Sequence, residues 1–356
     1  MDGSGLLRVS EETQLQVDAV LARFFTLSKN RAAAFGPQYV QLWQSLEQNT
    51  IGGKRFRPRM VMTAYQCLGG TDLEAAAYIG AAFELLHTAL IVHDDVIDHD
   101  FTRRGVPNIS GQYRDAATAS GSTERVAEHS GISAAVIAGD LALFNSYRLI
   151  DRSGVSDQVR ARLLEVMDDA LFASAAGELI DVDFSIAPEM PRVDDILTME
   201  RLKTPVYSFE CPLQAGAILA GASEEVVQTL GDFGREIGIA YQIVDDLLGV
   251  FGIEAETGKT TLGDLREGKR TVLVAYATST REWPRIAPFI GAPELSDADA
   301  EEVRVVLTSC GAKSFAEGLA RYYGNRALAR LAEPHIPPSL RLELHPVADA
   351  VLGRVK

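Results

Sequence analysis

Apolar residues recur at helical spacing through most of the chain. Leu15, Val17, Val20, Leu21 and Phe24 follow that spacing, which predicts a helix from about Ser10 to Gln48. Two glycines and a proline break the pattern between Ile51 and Pro58. A longer helical stretch is expected from about Pro58 to Asp98, interrupted near Gly69-Gly70-Thr71-Asp72. Phe101 to Gly131 differs: it is rich in Gly, Ser, Thr and Asn and poor in large apolar side chains. It is expected to be mainly a loop or mobile flap. Helical periodicity returns at about Ile132 and runs with short breaks to Phe251. Gly252 to Lys269 is polar and Gly-containing, and a helical third follows Trp283-Pro284. There Ser296 is an expected N-cap, with Asp297, Asp299, Glu301 and Glu302 near the positive end of the helix dipole. Alternating, strand-like stretches are scarce. The expected fold class is all-α, a bundle of many helices whose loops carry charge.

Of 356 residues, 47% are hydrophobic, enough for a substantial core in one large domain or two. No run of about 18 uninterrupted apolar residues occurs, so no transmembrane segment is expected. Residues 1–5, followed by Leu6-Leu7-Arg8, do not form a basic region ahead of an apolar one, so no signal peptide is expected. A cytoplasmic location follows as an expectation. Cys67, Cys211 and Cys310 are far apart with no Cys-x-x-Cys spacing, and are expected to be buried and reduced. The net charge of −15 argues against a nucleic-acid partner. It also means that an anionic substrate needs positive charge assembled locally, from Lys and Arg or from metal ions.

The strongest chemical signal is Asp94-Asp95-Val96-Ile97-Asp98. Asp94 and Asp98 point the same way, one helical turn apart, with Asp95 beside them. Oxygen ligands on one helix face suit magnesium, which keeps waters and also accepts substrate phosphates. The preceding Ala89-Leu90-Ile91-Val92 is apolar, so the carboxylates close a core helix. His87 lies nearly on the Asp94 face, about 10 Å along the axis. Arg103 and Arg104 follow the site. Glu84-Leu85-Leu86-His87 also matches the Glu-x-x-His element of di-iron bundles, but a second copy is missing.

Two further clusters matter. Gly52-Gly53-Lys54-Arg55-Phe56-Arg57-Pro58 sets three cations beside glycines that admit an anion closely, and Lys54 and Arg57 can converge on one diphosphate. In Tyr241-Gln242-Ile243-Val244-Asp245-Asp246, Gln242 shares a helix face with both aspartates. Lys259, Asp264 and Lys269 follow it, and Lys203-Thr204 precedes it. Two acidic helix sites, each followed by cations, suggest acidic rims on opposite walls of one cavity.

With these pieces in order, the chain resembles the trans-polyprenyl diphosphate synthases from about residue 45 to 275. Gly139-Asp140, Gly177-Glu178 and a Gly-Lys after the second acidic site complete the series. The resemblance implies a single domain over residues 1–356, a helical bundle around a central apolar cavity, and a homodimer. It implies isopentenyl diphosphate and allylic diphosphates as substrates and Mg2+ as cofactor. Lys54, Arg57, His87 and Arg104 would bind the diphosphate of isopentenyl diphosphate. Asp94, Asp98 and Asp245 would hold magnesium, supported by Asp95 and Asp246. Arg103, Lys203 and Lys259 would grip the allylic diphosphate. Thr204 and Gln242 would turn oxygens toward the developing allylic cation. There is one departure: the second motif is often Asp-Asp-x-x-Asp, and position 249 is Gly, with Asp264 as a possible outer carboxylate.

On this reading the growing tail runs along the helix before Asp94. Ala89 and Leu90 do not block it, and Phe83 is the next bulky residue, about 16 Å back. Phe144 and Tyr147 are alternative floors. The expected product is geranylgeranyl diphosphate, with farnesyl and longer diphosphates as alternatives. A class I terpene cyclase would carry an Asn-Asp-x-x-Ser-x-x-x-Glu motif and would not need the Lys54–Arg57 loop. A non-catalytic partner subunit would be expected to lack the metal carboxylates, and only position 249 is altered.

Overall fold

The computed structural model describes residues 11–51, 55–103, 105–252 and 262–354. The chain begins with α1 (Glu11–Ala32), α2 (Pro37–Thr50), α3 (Phe56–Cys67) and α4 (Leu73–Ile97). The first expected helix is thus two. Gly36, at φ 112°, turns the chain where other residues would be strained, and Pro37 opens α2 at a position that needs no N–H donor. Asp72 caps α4 by accepting the Ala75 N–H at 3.0 Å. By length and composition α4 resembles a membrane span. However, 78% of its most apolar window is buried inside the protein, which makes it a core helix.

The segment expected to be a loop is ordered. A two-strand hairpin, β1 (Thr102–Arg103) and β2 (Val106–Pro107), pairs antiparallel with Thr102 opposite Pro107. Two helices follow, α5 (Ile109–Ala119) and α6 (Glu124–Asp151). Asn108 caps α5 through its Oδ1, which accepts the Gly111 N–H at 2.8 Å. The lack of large apolar residues was misleading because α5 and α6 meet through small ones. A Cβ on Gly131 would fall far inside contact distance of the Ser110 carbonyl oxygen, so the backbones touch where side chains were sought.

The remaining helices are α7 (Asp157–Ile186), α8 (Val193–Lys203), α9 (Cys211–Leu219), α10 (Glu224–Phe251), α11 (Gly263–Glu267), α12 (Val272–Thr278), α13 (Trp283–Ile286), α14 (Asp297–Ser309), α15 (Ala312–Leu331) and α16 (Pro338–Leu352). Ser296 caps α14 as expected. Its hydroxyl takes the Asp299 N–H, while the Asp299 carboxylate takes the Ser296 N–H, a reciprocal capping box. Cys211 is buried, but Cys67 and Cys310 are only half-buried, which corrects the expectation for those two; all three are free thiols.

The chain forms two compact units. One comprises Arg8–Asp168 with Gln214–Ala222, and the other Asp169–Leu213 with Ser223–Lys356. In the first, α4 is the central helix, with Ile79, Phe83, Leu85 and Leu86 all within 1% of full burial. In the second, α10 takes that role, burying Phe233, Ile237, Ile243 and Val244 completely.

Candidate active site

In the first unit α4 ends on its carboxylates. Asp98 is the C-cap residue, exposed, and its N–H donates to the Asp94 carbonyl at 2.9 Å. Asp95 faces inward, with 3% of its side chain exposed. Arg103 on β1 clamps it, with Nε at 2.8 Å and Nη2 at 2.6 Å from Asp95 Oδ1, and Nη2 also reaches Asp94 Oδ2 at 3.2 Å. Burial pushes the Asp95 carboxyl above its ordinary range, against the pull of Arg103. The three aspartates therefore divide: Asp95 anchors the hairpin, while Asp94 and Asp98 keep accessible oxygens one turn apart. His87 is half-buried on the same helix.

His93 was not singled out from the sequence. Its Nε2 lies 3.4 Å from Asp140 Oδ1, linking α6 to the residue before Asp94. Gly139 allows this, because a Cβ there would collide with the imidazole. The Gly139-Asp140 pair thus has a local reason.

Lys54, Arg104 and Lys259 lie outside the described residues. Arg57 sits half-buried in the first turn of α3. Arg55 is more deeply buried than Arg57. Its backbone is left-handed, φ 52°, and its guanidinium is 4% exposed. It donates to the Thr50 carbonyl at 2.6 Å, Glu84 Oε1 at 3.0 Å and Asp18 Oδ1 at 2.8 Å. It is a structural cation, so the basic cluster offers fewer cations to a ligand than its sequence indicates. Glu84 is its counter-ion, which disposes of the di-iron alternative.

In the second unit Lys203 ends α8, with Nζ 2.6 Å from Asp181 Oδ2 and 3.1 Å from Glu178 Oε2, both on α7. Gly177 admits this crossing, since a Cβ would meet the Lys203 backbone. Thr204 is the C-cap of α8 and accepts the Ser208 N–H at 3.1 Å. A wide π-helical turn follows, Val206–Glu210, a feature frequent at functional sites. Gln242 Nε2 donates to Asp246 Oδ1 at 3.4 Å, and Lys269 Nζ donates to the same oxygen at 3.0 Å. Asp246 is 1% exposed. Burial, reinforced by the charge of Asp246, pushes the Glu200 carboxyl well above its ordinary range. That environment favours the protonated form of Glu200 beside Asp246. Asp245 is half-buried beside this cluster. Asp181, Glu200 and the link from Lys269 to Asp246 were not assigned from sequence. Their contacts join α7 to α8 and α10 to residues beyond α11, and no local pattern announces them.

Among the described residues, no three His, Cys, Asp or Glu side chains converge to form a metal cage. The carboxylates come instead as adjacent pairs, and Asp246 Oδ2 is buried without a hydrogen-bond partner among ordinary donors. That donor set fits a hydrated divalent cation held by one or two carboxylates together with substrate phosphates.

The sequence profile of the polyprenyl synthetase family matches residues 40–305. The chain is 34% identical over 317 residues to a geranylfarnesyl diphosphate synthase of Aeropyrum pernix, covering 88% of this chain and 93% of that protein. It is 34% identical over 227 residues to a geranylgeranyl diphosphate synthase of Sulfolobus acidocaldarius, covering 63% of each. A solved geranylgeranyl pyrophosphate synthase of Corynebacterium glutamicum, complexed with isoprenyl diphosphate and magnesium, matches with a TM-score of 0.88 and 29% identity. The match covers 96% of this chain and 98% of that one. The fold is the all-α fold of isoprenoid synthases, and the chain belongs to the polyprenyl synthetase family. It is an enzyme, a trans-prenyltransferase of isoprenoid biosynthesis.

Proposed function

We propose that this enzyme condenses isopentenyl diphosphate with allylic diphosphates, that its metal is Mg2+, and that its main product is geranylgeranyl diphosphate. The observation that carries the reading is the end of α4, where Asp94 and Asp98 stand one turn apart at the tip of a buried apolar helix. When bound, the cation supplies Lewis-acid stabilisation to the departing diphosphate. Asp94 and Asp98 in the first unit, backed by Asp95, and Asp245 in the second, backed by Asp246, would be cation ligands. Arg103, Lys203 and Lys259 are assigned to the allylic diphosphate, and Lys54, Arg57, His87 and Arg104 to that of isopentenyl diphosphate. Thr204 and Gln242 turn oxygens toward the allylic cation as the bond breaks, an electrostatic role that needs no nucleophilic side chain. The double bond of isopentenyl diphosphate attacks that cation, and the proton then lost goes to the released pyrophosphate. Exclusion of water would protect that cation until the new bond forms.

The assigned product length is argued from α4. Ala89 is small and fully buried, whereas Phe83, with 1% exposure, is the next bulky side chain. Eleven residues of helix separate it from Asp94, about 16 Å, which holds roughly three isoprene units. Phe144 is 62% exposed, which favours Phe83 as the floor. We further place the enzyme in the cytoplasm as a homodimer. Two exposed apolar stripes support the dimer: Ile137 and Phe144 on α6, and Phe172, Leu179 and Ile186 on α7, each at heptad spacing.

The test is incubation of purified protein with isopentenyl diphosphate, Mg2+ and each allylic diphosphate, with chromatography of the dephosphorylated products. Geranylgeraniol is expected from the wild type and longer alcohols from Phe83→Ala. No chain extension would overturn the function, and an unchanged length in the variant would move the floor elsewhere. By light scattering the same preparation should have the mass of two 38.5 kDa chains, and a single-chain mass would contradict the dimer.

A further inference from the structure

Between α4 and the hairpin the chain makes a strained turn. His99 stands at φ 56°, a left-handed conformation that costs a non-glycine residue energy and persists where surrounding contacts hold it. The Asp100 N–H closes the turn on the Asp95 carbonyl at 2.8 Å. From outside, the turn is held by Asn108, which follows β2 and is 2% exposed. Asn108 Nδ2 donates to the Asp100 carbonyl at 2.8 Å, and its backbone N–H donates to the Phe101 carbonyl at 3.2 Å. Its Oδ1 is taken up by the Gly111 N–H as the cap of α5. The same side chain helps to pull the Asp95 carboxyl down against burial. The helix on the other side is a firm anchor. A Cβ on Gly111 would fall far inside contact distance of the Phe101 carbonyl oxygen, so α5 and the turn meet backbone to backbone. The Arg114 guanidinium lies over the Phe101 ring, 4.2 Å from its centre. Gln112 Oε1 accepts the Ser45 hydroxyl of α2 at 2.8 Å, and its Nε2 donates to the Pro107 carbonyl at 3.2 Å.

We propose that Asn108 is a positioning residue for prenyl transfer: its amide nitrogen fixes the turn after Asp98 and so sets where Arg103 stands relative to Asp94 and Asp95. The proposal rests on reading Arg103 as a ligand of the allylic diphosphate. Capping alone does not call for asparagine, because serine caps a helix about as well with one oxygen. The second polar atom of Asn108 is the one that reaches Asp100. Arg103 is three residues beyond Asp100, on a strand of only two residues, so its guanidinium is aimed by the base of the hairpin. Release of the Asp100 carbonyl lets the strained turn relax, and a misplacement of about 1 Å can cost about a hundred-fold in rate.

The experiment compares Asn108→Ser and Asn108→Thr with the wild type, each alone and combined with Arg103→Ala, in the full chain. A hydroxyl at 108 keeps the cap of α5 but has no second atom for Asp100. Calorimetry measures the affinity for inorganic pyrophosphate with Mg2+, and steady-state kinetics give KM for each substrate. In the single variants pyrophosphate affinity should fall, and KM for the allylic diphosphate should rise, by about tenfold. KM for isopentenyl diphosphate should keep its wild-type value. In the Arg103→Ala background neither substitution should weaken pyrophosphate binding further, since both act through the same guanidinium. Circular dichroism and melting confirm that each variant is folded. Wild-type affinity and KM in both variants, equal rises in the two KM values, or the full loss repeated without Arg103 would overturn the proposal and leave Asn108 a helix cap only. A wild-type chain that binds no pyrophosphate with Mg2+ would sink the reading of the site itself, a different result from indifferent variants.

Discussion

Asp94→Ala is expected to lower prenyl transfer by about a hundred- to a thousand-fold, with helical content unchanged. Removing one preorganised electrostatic partner from a reacting centre costs about 3–4 kcal/mol, and each 1.36 kcal/mol is a factor of about ten in rate. Folding should be little affected. Asp94 keeps accessible surface, and its bond to Arg103 is the longest of the three that Arg103 makes to this pair, at 3.2 Å. The tighter anchor, Asp95, remains in place. Asp95→Ala should behave differently, because it strips the buried partner from Arg103 and loosens the hairpin as well as lowering activity. Steady-state rates with far-UV circular dichroism check both. Near-normal turnover in Asp94→Ala would remove the first acidic site from the mechanism.

Arg55→Met is expected to be the most damaging substitution for stability, at about 3–5 kcal/mol, because it leaves the buried Glu84 carboxylate without its cation. Glu84 is 6% exposed at its side chain, so water cannot replace the guanidinium. The loss of Asp18, which is 41% exposed, adds little. Set against a total of about 5–15 kcal/mol for a typical protein, this is a large fraction. Arg55→Met combined with Glu84→Leu should recover part of the loss, since an apolar pair of similar volume needs no counter-charge. Urea unfolding measures both; a loss below about 1 kcal/mol in the single variant would show that the buried pair does not bind the region together.

These two residues also mark what the sequence can and cannot tell. Asp94 is legible because its chemistry depends on spacing along one helix, and helical spacing is fixed by 3.6 residues per turn. The same is true of the break at Gly69-Gly70 and of the Ser296 cap. Arg55 is not legible. It stands among Lys54 and Arg57 with the same charge, and its left-handed backbone and its contacts with Asp18 and Glu84 appear only in the structure. Glu200 has no motif of its own. Its raised pKa comes from burial and from the charge of Asp246, 46 positions later in the chain. The helices between Phe101 and Gly131 were missed for another reason. Large apolar residues mark most packed faces, but α5 and α6 pack through glycine and other small residues. Gly249 combines both difficulties. In the sequence it reads as a missing carboxylate, and in the structure the Asp264 carboxylate lies where a Cβ at 249 would stand.

The account depends on divalent cations mediating between an acidic protein, net charge −15, and a diphosphate. The direct measurement is calorimetric binding of inorganic pyrophosphate to the wild-type chain, once with Mg2+ and once with EDTA. Saturable binding with Mg2+ that disappears in EDTA is the predicted result. Equal affinity under both conditions would contradict it, because the lysines and arginines alone would then be holding the anion.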